Sequence, residues 1–278
     1  MSGTDYFPLS LCPTGMVPTR ADSPHVPISA EEIAEQVLSC AEIGVTSVHL
    51  HTRYPDQHPA WEKEHFAEVI QLIRSERPDL VVCVTTSGRT VSELAKRADV
   101  LLLEENLKPD MASLTLASMN FALSASVNAP QMVQDLAAVM LERGIIPELE
   151  IFDTGMLNYF KYLVSKGLLK PPYVANLILG GIATAQATPL DLGLLVERLP
   201  PRTVWSVGGI GRSQLTANVL GLASGGGVRV GLEDNLHFDS ARKRLATNRE
   251  LVSRVVEIAA AMDRFVMSPS DFRRNVLS

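Results

Sequence analysis

Short runs rich in Val, Ile and Leu alternate with longer stretches of helical period from one end of this chain to the other. That alternation restricts the possible folds more than any other feature. Eight runs read as strands, at residues 7–12, 46–51, 81–86, 112–116, 147–153, 174–179, 203–207 and 228–232. The first helix opens at Ser29-Ala-Glu-Glu32, where Ser at the N-cap and Glu three residues on form a capping box. Segments 61–74, 90–105, 129–143, 157–166, 189–198, 213–222 and 240–264 read as the other helices. Val100-Leu-Leu-Leu103 continues Glu93-Leu-Ala-Lys-Arg97 and stops before Pro109, so it reads as a helix end rather than a ninth strand. Eight βα repeats in 278 residues predict a closed (β/α)8 TIM barrel, which takes roughly 250 residues. An open doubly wound sheet is the alternative. No linker, charge block or low-complexity tract divides the chain, so residues 1–278 read as one domain. Ser268-Pro-Ser-Asp-Phe starts a short helical extension, with Pro in the tolerated first turn.

A net charge of -6 argues against nucleic acid or an anionic membrane as partner, since both need a broad basic face. Cys12, Cys40 and Cys83 are widely spaced and odd in number, which disfavours a disulfide framework or a thiolate zinc site and suits a reduced, cytoplasmic protein. Met1-Ser-Gly-Thr-Asp-Tyr6 lacks the basic and apolar regions of a leader, and no apolar run approaches the ~20 residues of a membrane span.

In a parallel barrel the strand ends converge on one mouth, where active sites are built. His49 and His51 close the second strand two residues apart, so both imidazoles face one side. A catalytic zinc takes three protein ligands and keeps an open position. Glu233, ending the eighth strand two places round a closed barrel, is the best third ligand on position. Glu148 and Glu150 lie within the fifth strand, and buried carboxylates are costly unless paired or placed for proton work. Arg229 and Asp234 flank Glu233 and admit the same two readings. Gly208-Gly-Ile-Gly-Arg212 follows the seventh strand, where a phosphate site and a plain tight turn are equally open. His25, His58, His65 and His237 read as loop or solvated residues.

His49-Leu-His-Thr-Arg53, Pro147-Glu-Leu-Glu-Ile-Phe-Asp153, Trp205-Ser-Val-Gly-Gly-Ile-Gly-Arg212 and Arg229-Val-Gly-Leu-Glu-Asp-Asn235 together resemble the β-keto acid cleavage enzymes. Thr19-Arg-Ala-Asp22, Lys108-Pro-Asp-Met111 and the Ser268-Pro segment extend the resemblance over nearly the whole chain. It implies a zinc-dependent (β/α)8 barrel in which a β-keto acid and acetyl-CoA give acetoacetate and the CoA ester of the remaining acyl fragment. It implies Zn2+ on His49, His51 and Glu233, and proton transfer by Arg229 and Asp234 with help from Glu150. Thr85, Gly88 and Ser113 would contact substrate. It also implies a homo-oligomer, commonly a tetramer.

This chain departs from the family's pattern where substrate is chosen. Members acting on amino-bearing substrates carry an acidic residue where Val17 stands here, so the expected tail is neutral or apolar. Ser87-Gly88 replaces a common Gly-Gly, Gly227 stands where a His is frequent, and the loop 180–186 is short. A metal-dependent aldolase or hydrolase without CoA, or a non-catalytic metabolite-binding barrel, are the rival readings. A requirement for acetyl-CoA separates them.

Overall fold

The structure, a computed structural model, describes residues 5–277. The first four residues, part of the segment expected to lack a leader, and Ser278 lie outside the described residues. Eight parallel strands close into a barrel: β1 (Leu9–Leu11), β2 (Ser47–Leu50), β3 (Val81–Val84), β4 (Met111–Thr115), β5 (Ile146–Ile151), β6 (Tyr173–Leu179), β7 (Thr203–Gly209) and β8 (Gly227–Val230). Neighbours in sequence are neighbours in space, and β8 pairs with β1 through Arg229 opposite Ser10. All eight predicted strands are therefore present, as a (β/α)8 TIM barrel rather than an open sheet. The helices are α1 (Ala30–Ala41), α2 (Lys63–Glu76), α3 (Leu94–Arg97), α4 (Pro130–Arg143), α5 (Thr154–Ser165), α6 (Pro189–Glu197), α7 (Gln214–Ala223), α8 (Asn248–Ala260) and α9 (Pro269–Phe272). Among the described residues no helix is long and apolar enough to cross a membrane.

Alternation along each strand divides the barrel into two chemistries. Val48, Leu50, Val82, Val84, Leu149, Ile151, Val228 and Val230 join the core between sheet and helices. The alternate positions point inward, and toward the lower end they are apolar: Val81, Cys83, Met111 and Val174 pack with Phe272 and Val276 from the C-terminal segment, which plugs the barrel. Nearer the mouth the inward positions are His49, Glu148 and Arg229, all buried. α1 carries the expected capping box and buries Ile33, Val37 and Cys40 on one face.

Two helical predictions are corrected. Segment 90–105 is broken into α3 and two 3-10 turns, Asp99–Leu102 and Glu105–Leu107. There Asp99 accepts a hydrogen bond from Lys63 N at 2.8 Å, capping α2 instead of continuing a helix. Segment 240–264 becomes helical only at Asn248, where Thr247 and Glu250 form a second capping box. Ahead of it, the Asp239 carboxylate accepts from Lys243 N and Arg244 N, and the Phe238 ring takes the guanidinium groups of Arg244 and Arg254. Tertiary contacts of this kind override helix propensity.

Candidate active site

His49 Nε2 and His51 Nε2 stand 3.3 Å apart at the mouth, and His51 Nε2 lies 3.4 Å from Glu233 Oε1. The ligand atoms of His49, His51 and Glu233 all fall within 4.8 Å of one another. On its other nitrogen His49 meets Glu148 Oε2 at 2.7 Å. A carboxylate there fixes the ring and leaves Nε2 directed into the site. Burial alone would push the His49 pKa down, but Glu148 and Glu233 outweigh it and hold it above the ordinary imidazole value. His51 stays below that value because burial exceeds the pull of Glu233.

Glu233 reaches the histidines because the turn after β8 is tightly built. Gly231 has φ of +153°, and a Cβ there would lie 2.1 Å from Cys12 O. Gly15 has φ of +64° and passes so close that its Cβ would lie 2.5 Å from Glu233 Cγ. Buried Arg53 holds that loop by donating to Gly15 O at 2.8 Å and Pro18 O at 2.9 Å. Asn248 ties α8 to both sides, accepting from Leu232 N at 2.9 Å and donating to Pro13 O at 3.0 Å.

Arg229 fans across the carboxylates, with Nε 3.0 Å from Asp234 Oδ2, Nη2 2.7 Å from Glu233 Oε1 and Nη1 3.6 Å from Glu150 Oε1. Its stem lies against Gly208, where an added Cβ would come within 3.2 Å of Arg229 Cδ. The Gly208–Gly211 run thus serves this packing, and Gly211 N donates to Asp234 O at 2.7 Å. Burial would raise the Glu233 carboxyl, yet Arg229 and His51 hold it well below the usual carboxylate range. Asp234 is raised, by burial first and Glu233 after it, against the opposing pull of Arg229. Thr115 Oγ1 donates to Glu150 Oε2 at 2.5 Å.

The donor set suits a divalent ion. Two imidazole nitrogens and a carboxylate form the N/O combination favoured by zinc and its neighbours. Glu233 Oε2 is buried without a hydrogen-bond partner, a lone pair that an ion would satisfy. His49, Cys83 and Glu148 also lie close together. That group is a hydrogen-bonded support, because Cys83 Sγ donates to Glu148 Oε2 at 3.3 Å and burial pushes the thiol pKa up.

A cavity of about 590 Å3 opens over these residues, bordered by His51, Glu150, Arg229, Glu233 and Asp234. Thr85 and Val17 are among the residues that line it. Gly88 and Ser113 are not among its lining residues: Gly88 leaves room for Arg97 Nη1 and Val127 O, and Ser113 Oγ accepts from Thr86 N at 3.2 Å. Gly227 has no space for the frequent His, since a Cβ would lie 2.5 Å from Pro8 O and Ser206 Oγ. The sequence reading missed the Glu148–His49 pairing, the Arg53 brace, and Arg89 and Phe121 on the cavity wall. A larger cavity, about 700 Å3, lies at the lower rim beside Arg74, Asp110 and Arg273. Its charges satisfy one another, with Asp110 accepting from both arginines and from Val82 N.

Comparison with known proteins gives the chain its relatives. A 3-keto-5-aminohexanoate cleavage enzyme of Fusobacterium nucleatum is 34% identical over 92% of each chain. A 3-oxoadipate:acetyl-CoA acetyltransferase of Cupriavidus necator is 35% identical over 95% of this chain and 92% of its own. A 3-dehydrocarnitine:acetyl-CoA trimethylamine transferase of Rhizobium meliloti is 32% identical over 95% and 93%. The apo structure of ObcA superposes with a TM-score of 0.79 at 23% identity, over 92% of this chain and 66% of that one, which supports the fold. The pattern of the beta-keto acid cleavage enzyme family matches residues 8–277, and the chain belongs to that family.

Proposed function

We propose that this protein cleaves a β-keto acid with acetyl-CoA, giving acetoacetate and the CoA ester of the remaining acyl fragment. The observation that carries the reading is the convergence of His49, His51 and Glu233 beside Arg229, Asp234 and Glu150 at one cavity. Relatives named for acetyl-CoA transfer and for β-keto acid cleavage support it. His49, His51 and Glu233 would hold a divalent ion, with Zn2+ the best match to the donors. When bound, that ion supplies positive charge to the keto and carboxylate oxygens and stabilises the enolate left by loss of a proton between them.

The protein's own groups then divide the work. Asp234 accepts the proton: it borders the cavity, and Arg229 Nε holds its carboxylate in place at 3.0 Å. Arg229 holds Asp234 and Glu233 in register, and Glu150, steadied by Thr115, lies within reach to orient substrate or relay the proton. Thr85 offers a hydroxyl to substrate on the opposite wall. The enolate carbon attacks the acetyl carbonyl and expels CoA thiolate; the thiolate adds to the original keto carbonyl, the bond between that carbon and the former enolate carbon breaks to release the acyl-CoA, and the acetoacetate enolate takes the proton back from Asp234. Val17 offers no counter-charge to an ammonium group, so the tail carries no positive charge.

The test is to incubate the metal-loaded protein with acetyl-CoA and a panel of β-keto acids and search for new CoA esters by mass spectrometry. A new ester matching the acyl part of one panel member, formed only when acetyl-CoA is present, is the expected outcome. Cleavage at the same rate without acetyl-CoA would replace this reading with an aldolase or hydrolase.

A further inference from the structure

Arg53, Arg97, Arg229 and Arg89 stand at the mouth, and the first three are held by acceptors of the protein. Arg53 donates to Gly15 O, Gln57 O and Pro18 O. Arg97 donates to Thr86 O, Val127 O and Asn128 Oδ1. Arg229 Nε and Nη2 are held by Asp234 and Glu233, while its buried Nη1, 3.6 Å from Glu150, makes no hydrogen bond among the described residues. Arg89 differs: it is half-buried in the cavity wall, and no carboxylate among the described residues lies within ion-pair distance of its guanidinium. Its one close partner is a ring, with the guanidinium carbon 3.6 Å from the centroid of Phe121. Stacking occupies the face of the guanidinium and leaves the N–H edge for an acceptor.

The surroundings tell what carries that acceptor. Phe121 belongs to a hairpin, Met119–Asn120 paired with Ala125–Ser126, that overhangs the cavity with Leu123 at its exposed tip. Phe121 also packs edge-on against Phe152. Ser87 Oγ donates to Met16 Sδ at 3.1 Å, drawing the loop that bears Val17 toward the turn that bears Arg89. Val17, Phe121, Phe152 and Leu123 therefore form an apolar sleeve beside Arg89. Burial pulls Arg89 below the usual guanidinium range, against the longer-range pull of Glu233, Glu150 and Asp234.

We propose that Arg89 is a specificity-determining residue that receives a carboxylate at the far end of the substrate, so that the preferred substrate is a linear dicarboxylic β-keto acid. The inference rests on the β-keto acid cleavage reading and sharpens it: the expected neutral tail took account of Val17 alone, and Arg89 adds a positive charge beside it. The sleeve takes the methylenes and the guanidinium edge takes the terminal carboxylate, two N–H donors to two oxygens. A phosphate of acetyl-CoA offers the same anionic chemistry, and the experiment separates the two sources.

Wild type, Arg89→Met and Arg89→Lys are assayed with acetyl-CoA and two β-keto acids of equal length, one ending in carboxylate and one in methyl. The wild type should favour the carboxylate-ended acid, and Arg89→Met should lower the ratio of the two kcat/KM values about 10- to 100-fold, chiefly through KM. Arg89→Lys, which keeps the charge without the fork, should fall between. An unchanged ratio in Arg89→Met overturns the inference. So does a rise in the KM for acetyl-CoA that is equal with both acids, which assigns Arg89 to the cofactor's phosphates. Calorimetry with adipate and hexanoate as unreactive probes reads the same preference without turnover. If wild type binds adipate more tightly, Arg89→Met loses that margin and no CoA ester ever forms, the cleavage reading fails while the tail site stands. Equal binding of adipate and hexanoate by wild type overturns the tail site.

Discussion

His49 has two partners at once, Glu148 on Nδ1 and the His51/Glu233 cluster on Nε2. On the proposed reading His49 serves metal binding and Asp234 proton transfer, and two substitutions test that division. His49→Ala should lose the bound divalent ion by elemental analysis and take turnover to background. Asp234→Asn keeps the three donors and should retain the ion while turnover falls about 10²- to 10⁴-fold. A fully active His49→Ala protein contradicts the metal reading, and an Asp234→Asn protein with unchanged turnover contradicts the proton-transfer role. The sequence showed the histidine pair because spacing of two puts both rings on one face. It did not show Glu148 as the ring's anchor, because that contact spans the barrel interior between β2 and β5, 99 residues apart. Arg89, read within Ser87-Gly-Arg-Thr90, looks like any loop cation until Phe121 is seen over it.

The elements were legible where pattern alone decides them. All eight strands follow from apolar runs, and Glu233 follows from closure, since only a closed barrel brings β8 within two strands of β2. Segments 90–105 and 240–247 were not legible, because their fate depends on Asp99 capping a different helix and on Asp239 gathering backbone amides. The terminal helix was expected as an appendage, yet Phe272 and Val276 plug the barrel beneath the site. Phe272→Ala should therefore lower unfolding free energy by about 3–5 kcal/mol in denaturant titration. A loss below about 1 kcal/mol, the level of a surface change, would show that α9 is peripheral.

At the scale of the molecule, the barrel gives one end to stability and the other to chemistry. The lower interior is apolar and plugged, while the mouth gathers paired carboxylates, the buried Arg229 and two histidines around a cavity. Cys12, Cys40 and Cys83 are free thiols buried within the barrel and its helices. The central claim is that carbon moves between two substrates here, and isotope tracing tests it most directly. With acetyl-CoA labelled by carbon-13 in both acetyl carbons and an unlabelled β-keto acid, acetoacetate should carry the whole acetyl label and the new CoA ester none. Label in the new ester, or unlabelled acetoacetate, would contradict the account.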